Sequence, residues 1–336
     1  MTAERNRASG RPTLEEVALR AGVGRGTVSR VVNGSQQVSA RAKQAVEDAI
    51  AELGYVPNRA ARTLVTQRTD SVALVVFESG ERFFAEPFFG RIVQAVSSVL
   101  VARNLQMVLM IAQAPEERRR LEGYLTRQHV DGALLLSLHG DDPLPHLLEE
   151  RGVATVRVGR PMYAERGTFV DADNRAGARD AVGYLRSQGR RCIAAITGPL
   201  DMAAGIARLD GYRDVVGDGP VAFGDFSQDS GAAAMYRLLE QYPEVDGVFA
   251  ASDAMAAGAL RVLRQYGRRV PEDVALIGFD DSAIALHTEP PLTSVDQPIA
   301  EMGREMVRLL LAKLDGDDEG DAEVVLPTRL VIRESA

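Results

Sequence analysis

The sequence predicts an all-helical N-terminal head followed by an α/β body of two lobes with parallel sheets. Three observations predict it. Between Thr13 and Leu53, polar caps and glycines punctuate three stretches whose apolar residues recur at helical spacing. From Ser71 the pattern changes to short continuous apolar runs separated by helical stretches, the mark of parallel strands covered on both faces. Those runs fall into two similar sets, one before about residue 160 and one after it.

Bulk composition fits this plan. A chain of 336 residues has room for two or three domains, and 46% apolar with 26% charged residues is ordinary for a globular protein. No run approaches the roughly 18–20 apolar residues of a membrane span. The opening segment MTAERNRASGRP is polar and basic, unlike a secretory signal, so a cytoplasmic protein with no membrane partner is expected. Cys192, the one cysteine, excludes an internal disulfide and a cysteine metal cluster; no metal and no cofactor are expected. Net charge is −8, yet residues 1–68 carry +5 and the remainder −13. A basic head on an acidic body steers the head toward phosphate and keeps the body off it.

In the head, Thr13 and Glu16 form a capping box after Pro12, and Leu14, Val17, Ala18 and Ala21 make the first apolar stripe. Gly22 ends that helix. A second short helix runs through Thr27, Val28, Ser29, Val31 and Val32, and Asn33-Gly34 closes it with turn chemistry. Ser39 caps a third helix with the stripe Ala42, Ala45, Val46, Ala49, Ile50 and Leu53, ended by Gly54. Two helices joined by a tight glycine turn form a helix-turn-helix, whose second helix enters the major groove N-terminus first. That places Arg25, Gly26, Thr27, Ser29 and Arg30 at base edges, and arginine bonds guanine O6 and N7 together. Thr13 and Asn33 complete the candidate DNA-binding residues of this unit. A plain solvated helix is the alternative; the agreement of caps, turn and spacing argues against it. The GVGRG run has no strand before it, which argues against a dinucleotide loop. Tyr55 to Asn58 reads as a turn. Arg59 to Leu64 is helix-prone but too short to be stable alone.

In the body, strands are expected at Val72–Phe77, Met107–Ala112, Gly132–Leu138 and Ala154–Gly159. A second set is expected at Cys192–Thr197, Val221–Phe223, Gly247–Ala251 and Val274–Phe279. Ligands of such sheets bind at the carboxyl ends of the strands, so the cleft between two facing lobes is the expected site. Those ends carry Glu86, Phe88 and Phe89; Ser137 and His139; Arg160; Arg208; Phe226; Ser252 and Asp253; Asp280; and Gln297. Carboxylates, amides and guanidinium groups bond paired hydroxyls and aromatic faces cover the apolar side of a ring, so the mixture suits a sugar. Taken singly, Ser252, Asp253 and Asp280 read also as helix N-caps, Arg208 as a surface ion pair, and the three phenylalanines as core.

The segment TVSRVVNGSQQVSARAKQAVEDAIAELGYVPNRAARTL closely resembles the lactose-repressor (LacI/GalR) family of bacterial transcription factors. The resemblance extends over about residues 12–335. It implies a hinge helix at Asn58–Leu64, with Leu64 of each subunit wedged into the minor groove and Asn58 and Ala61 beside the backbone. It also implies a body like the periplasmic sugar-binding proteins. ARLDGYRD resembles the family's arginine motif and makes Arg208 the foremost ligand candidate. FAASDAMAAGAL and IGFDDS resemble its two acidic strand ends. PPLTSVDQP resembles the segment crossing between lobes, which puts Gln297 in the cleft. The chain departs from the family pattern at Gly159, where an acidic residue is frequent, at Ser252, where asparagine is frequent, and in a short Tyr212–Phe223 stretch. Within the family, FAEPFF, QHVDGALLLSLHGDDPLP and ASDAMAAGALRVLR are most similar to the cellobiose-responsive repressors of actinobacteria.

The resemblance therefore implies a homodimeric repressor that binds double-stranded operator DNA and is released by cellobiose or a related β-glucoside. The same build with another glycoside or a purine-type ligand, or with the sugar as corepressor, is the alternative. Neither a nucleophile elbow, a Walker loop nor an H-E-x-x-H motif is present, so no enzyme is expected. The expected divisions are a DNA-binding domain at 1–57, a hinge and linker at 58–70, and the two-lobed body at 71–336. Within the body, one lobe takes 71–160 and 293–325, the other 161–290 and 326–336. No heptad tail precedes Ser335 to build a larger bundle.

Overall fold

The computed structural model describes residues 12–32, 37–56, 68–127, 129–162, 167–317 and 320–336. It divides into two compact units, Met1–Thr69 and Asp70–Ala336.

The described part of the first unit is three helices. The helix α1 (Leu14–Ala21) starts at the capping box: Glu16 N–H donates to Thr13 Oγ1 at 3.3 Å and Thr13 N–H to Glu16 Oε2 at 2.7 Å. It stops at Gly22, whose φ of 66° is left-handed and suits glycine. The helix α2 covers Arg25–Val32. The helix α3 (Ala40–Leu53) begins at the Ser39 cap and ends at a left-handed Gly54. Val17, Ala18, Val28, Val46, Ala49 and Tyr55 make one small core, which draws on all three helices and fixes α2 against the others.

The second unit holds two six-stranded sheets. The first lobe begins with β1 (Ser71–Val76), α4 (Gly80–Ala85), α5 (Pro87–Ala102), β2 (Gln106–Ile111), α6 (Pro115–Leu125), β3 (Gly132–Leu136), α7 (Leu144–Glu150), β4 (Ala154–Val158) and β5 (Phe169–Ala172). The second continues with α8 (Asn174–Ser187), β6 (Ile193–Thr197), α9 (Ala203–Val216), β7 (Val221–Phe223), α10 (Gln228–Gln241), β8 (Gly247–Ala250), α11 (Asp253–Gln265), β9 (Ala275–Asp280), α12 (Ala283–His287) and β10 (Thr293–Asp296). The helix α13 (Ile299–Asp315) and β11 (Glu323–Leu326) return to the first lobe, and β12 (Arg329–Val331) to the second.

Strand order is β11-β5-β4-β3-β1-β2 in the first sheet and β12-β10-β9-β8-β6-β7 in the second. All pairings are parallel except β10 with β12. Each sheet is buried on both faces because alternate residues point to opposite sides. Leu74 and Val76 pack with α5 and α13, whereas Ala73 and Val75 pack with α6 and α7. Ile196 and Val248 meet α10 and α11, whereas Ala195 and Phe249 meet α8 and α9.

The lobe limits differ from the expected ones at two places. Residues 169–172 form β5 of the first sheet, not part of the second lobe, and residues 293–296 form β10 of the second sheet, not part of the first. The chain thus crosses between lobes at 172–174, 296–299 and 326–329, after each of these short strands has completed its sheet. No helix among the described residues is long and apolar enough to cross a membrane.

Candidate functional site

A cleft lies at the carboxyl ends of the strands of both lobes. It encloses about 1080 Å³, open solvent at its mouth included. At its floor is a chain of buried polar groups. Arg208, on α9, is 4% exposed. Its Nε donates to Asn174 Oδ1 at 2.9 Å, its Nη1 to the Ala251 carbonyl at 2.6 Å, and its Nη1 lies 3.4 Å from Asp280 Oδ1. Gln297 Nε2 donates to the same Asp280 oxygen at 2.6 Å. Asn174 Nδ2 donates to Asp171 Oδ1 and to the Ala172 carbonyl, both at 3.0 Å. Asn174 and Gln297 sit at the first and second of the three lobe crossings, so the network ties the floor to two of the segments that connect the lobes.

Aromatic rings flank this floor. The Arg208 guanidinium lies 3.7 Å from the Phe279 ring centroid and 5.5 Å from that of Phe226. From the first lobe, Arg82 reaches 5.7 Å from the Phe226 centroid. Phe226 itself has a left-handed φ of 72°. Its ring lies so close to Gly198 that a Cβ there would sit 2.3 Å from it. Glycine at 198 is therefore what leaves room for the ring.

The cleft is rich in perturbed carboxyls. Burial pushes Glu86 up to about 7, against the opposing pull of Arg82, whose Nε lies 2.5 Å from Glu86 Oε1. Burial likewise pushes Asp171 up to about 6, with Arg160, 3.5 Å away, opposing. Asp280 is raised by burial and held back first by Arg208. Burial lowers Arg208, with Asp280 the main counterweight. A carboxyl accepts from a hydroxyl when ionised and can also donate to one when protonated, so these groups can bond hydroxyls in either state.

Of the residues expected at the effector site, Glu86, Phe88, Phe89, Ser137, Arg160, Arg208, Phe226, Asp280 and Gln297 line this cleft together. Ser252, Asp253 and His139 are not among its lining residues. Ser252 is the N-cap of α11: its Oγ accepts from Met255 N–H at 3.2 Å and faces the Phe226 carbonyl at 3.2 Å. Asp253 is 1% exposed, and its carboxylate accepts from Ser282 N–H at 2.7 Å and Ser294 Oγ at 2.5 Å. Burial and the neighbouring Asp280 raise its pKa. Through these bonds it ties the segment after β9 to β10. His139 lies between the carboxylates of Asp201 and Glu78.

Residues the sequence reading missed are Arg82, Arg157, Asp171, Asn174 and the methionines Met162, Met202 and Met302. Asp171 and Asn174 carry no local signal because β5 is only four residues long and Asn174 reads as an ordinary first-turn residue of α8. The short Tyr212–Phe223 connection is compact: Tyr212 Oη lies 2.9 Å from the Ile193 carbonyl and 3.1 Å from that of Pro220.

On the head, α2 exposes Arg25, Gly26 and Arg30, with Thr27 and Ser29 half-buried beside them. Arg25 pairs with Glu15 at 3.1 Å, both side chains largely in solvent, and Arg30 Nε donates to the Gly26 carbonyl at 3.1 Å. Both guanidinium groups remain available to a partner, since such exposed contacts are weak. Thr13 is engaged as the α1 cap. Asn33, Asn58, Ala61 and Leu64 lie outside the described residues. Among the described residues, no group of three or more His, Cys, Asp or Glu is placed to hold a metal ion.

Comparison with known proteins agrees with this geometry. A family model of bacterial regulatory proteins of the lacI family matches residues 13–58, and one of periplasmic binding protein-like domains matches residues 182–336. The HTH-type transcriptional regulator CelR of Thermobifida fusca is 56% identical over 334 residues, covering 97% of this chain and 98% of the relative. A solved transcriptional regulator CelR–cellobiose complex matches with a TM-score of 0.77 at 54% identity, covering 97% of this chain and 100% of that one. The lac repressor dimer bound to operator and the anti-inducer ONPF matches with a TM-score of 0.85 at 28% identity, covering 97% and 99%. These relatives are regulators, not enzymes.

Proposed function

Because the chain belongs to the lacI family of bacterial regulatory proteins, we propose that it is a transcriptional repressor released from operator DNA by cellobiose or a related β-gluco-oligosaccharide. Two copies bind a pseudo-palindromic operator, each placing α2 in the major groove with Arg25, Thr27 and Arg30 at base edges. Acting on operator DNA, it works in the cytoplasm by this reading. The genes under its control serve sugar utilisation.

One observation carries the effector reading: the buried chain Asp171–Asn174–Arg208–Asp280–Gln297 at the floor of a cleft between two lobes. A sugar seated on Arg208 and Asp280 of the second lobe, with Phe226 against its apolar face, also reaches Glu86, Ser137 and Asp171 of the first, and so bonds groups from both lobes at once. Its hydroxyls then bias the lobe angle through Asn174 and Gln297. Binding energy that differs between open and closed lobes becomes a coupling to DNA affinity, typically ~1–3 kcal/mol. We assign the 58–70 segment, with Asn58, Ala61 and Leu64, as the part through which that coupling reaches the head. The relative solved with cellobiose, similar over almost the whole chain, supports the choice of sugar.

Calorimetric titration of cellobiose into the wild-type protein and into Arg208→Ala tests this reading. The wild type binds and the variant does not, while both retain operator binding. Undiminished cellobiose binding by the variant removes Arg208 from the site.

A further inference from the structure

The loop after β3 and the loop before α9 face each other across the cleft and are joined directly. Gly140 N–H donates to the Asp201 carbonyl at 2.7 Å. Gly140 has a left-handed φ of 58°, a conformation glycine adopts without strain. Beside it, His139 Nδ1 lies 2.9 Å from Asp201 Oδ2, and His139 Nε2 lies 3.2 Å from Glu78 Oε1. Glu78, at the end of β1, is 4% exposed and is also held by Arg82 Nη1 at 3.1 Å. His139 therefore links a buried carboxylate of one lobe to a carboxylate of the other. Both joined segments border the cleft: Gly140 and Asp141 line one wall, Met202 and Ala203 the other. Asp201 also stands just before α9, the helix that carries Arg208.

We propose that Asp201 and His139 are positioning residues: they touch no effector, and hold the two cleft walls together in the closed, effector-bound arrangement. This rests on the reading of the cleft as an effector site. The bridge is strongest when His139 is protonated, because both ring nitrogens then donate to carboxylates. The groups facing His139 are Glu78 and Arg82 from the β1–α4 segment and Asp201 from the opposite lobe. On its own loop stand Asp141 and Asp142, the latter paired with Arg118 of α6. Donation to the Glu78 carboxylate first, and to the Asp201 carboxylate, raises the His139 pKa against the opposing effect of burial. Closure accordingly takes up a proton, and effector affinity falls as pH rises through the histidine range.

The test uses the full-length protein and Asp201→Asn, a substitution at an exposed side chain. The His139 ring is followed by NMR from pH 5.5 to 8.5, identified among the four histidines by His139→Gln, without sugar and with saturating cellobiose. Calorimetry gives the cellobiose affinity over the same range. The titration midpoint of His139 falls in Asp201→Asn. The variant binds cellobiose about two- to five-fold more weakly at low pH, the scale of a partly exposed ion pair. The difference fades at high pH. Equal midpoints in the two proteins under both conditions overturn the bridge, and so does an equal pH slope of affinity. Failure of the wild type to bind cellobiose strikes the effector assignment alone, and the midpoints still decide the bridge.

Discussion

Gln297 donates a 2.6 Å hydrogen bond to Asp280 Oδ1, joining the second lobe crossing to the strand end that also meets Arg208. Asp280 has a left-handed φ of 106° and its carboxyl is raised by burial, so it depends on these donors. Gln297→Ala removes one. A hydrogen bond to a charged group is worth about 1.5–3 kcal/mol. Operator release in Gln297→Ala needs at least about ten-fold more cellobiose, read from operator-binding curves at a series of sugar concentrations, while operator affinity without sugar stays within about two-fold.

Gly198→Ala tests the aromatic wall. The new Cβ would sit 2.3 Å from the Phe226 ring, so the ring must leave its place. Overpacking of this kind costs about 1–3 kcal/mol. Urea unfolding reads that loss, and cellobiose affinity falls with it because the stacking face has moved. Unchanged affinity at reduced stability would separate Phe226 from the sugar.

Glu86 gives the body a pH-dependent stability. Its folded pKa is raised to about 7 from 4.5, so its contribution is complete below the unfolded value and lost as pH rises through about 7. Its side chain is 15% exposed, so little discount for solvent is needed. The loss is on the order of 3 kcal/mol at about 1.4 kcal/mol per unit. Asp171, raised to about 6, adds loss of the same sign at lower pH. Denaturant unfolding at pH 5 and pH 8 shows the wild type weaker at pH 8, and Glu86→Gln narrows the gap.

Arg25→Ala separates DNA recognition from stability. Among the described residues it pairs with Glu15, between side chains 74% and 60% exposed. Thermal unfolding of the variant therefore stays near the wild type. Specific operator affinity falls by about 1–3 kcal/mol, the value of a bidentate guanine contact, with a smaller loss on non-specific DNA. Equal losses on both would make Arg25 a phosphate contact.

The elements that stand out in the sequence are those fixed by local chemistry. Thr13 with Glu16, Gly22, Ser39 and Gly54 mark helix ends because caps act within a few residues. The eight apolar strand candidates stand out because strands buried on both faces read as continuous runs. Four strands did not: β5 contains Asp171, β10 reads Thr-Ser-Val-Asp with a single aliphatic residue, and β11 and β12 are short edge strands carrying Glu323 and Arg329. The site divides in the same way. Arg208, Asp280 and Gln297 followed from motif resemblance. Asp253 was expected beside the ligand, but the partners that bury it, Ser282 and Ser294, come 29 and 41 residues later in the chain. His139 was expected there too, and its role depends on Asp201, 62 residues away in the other lobe. Only tertiary structure brings such groups together.

The proposed function rests on control of DNA affinity by the cleft. Its most direct test is titration of the protein onto a labelled operator with no sugar, with cellobiose and with a non-glucoside control sugar, at fixed salt. The account predicts tight binding alone and with the control, and a five- to 150-fold loss with cellobiose, about 1–3 kcal/mol of coupling. Identical curves in all three conditions would contradict it.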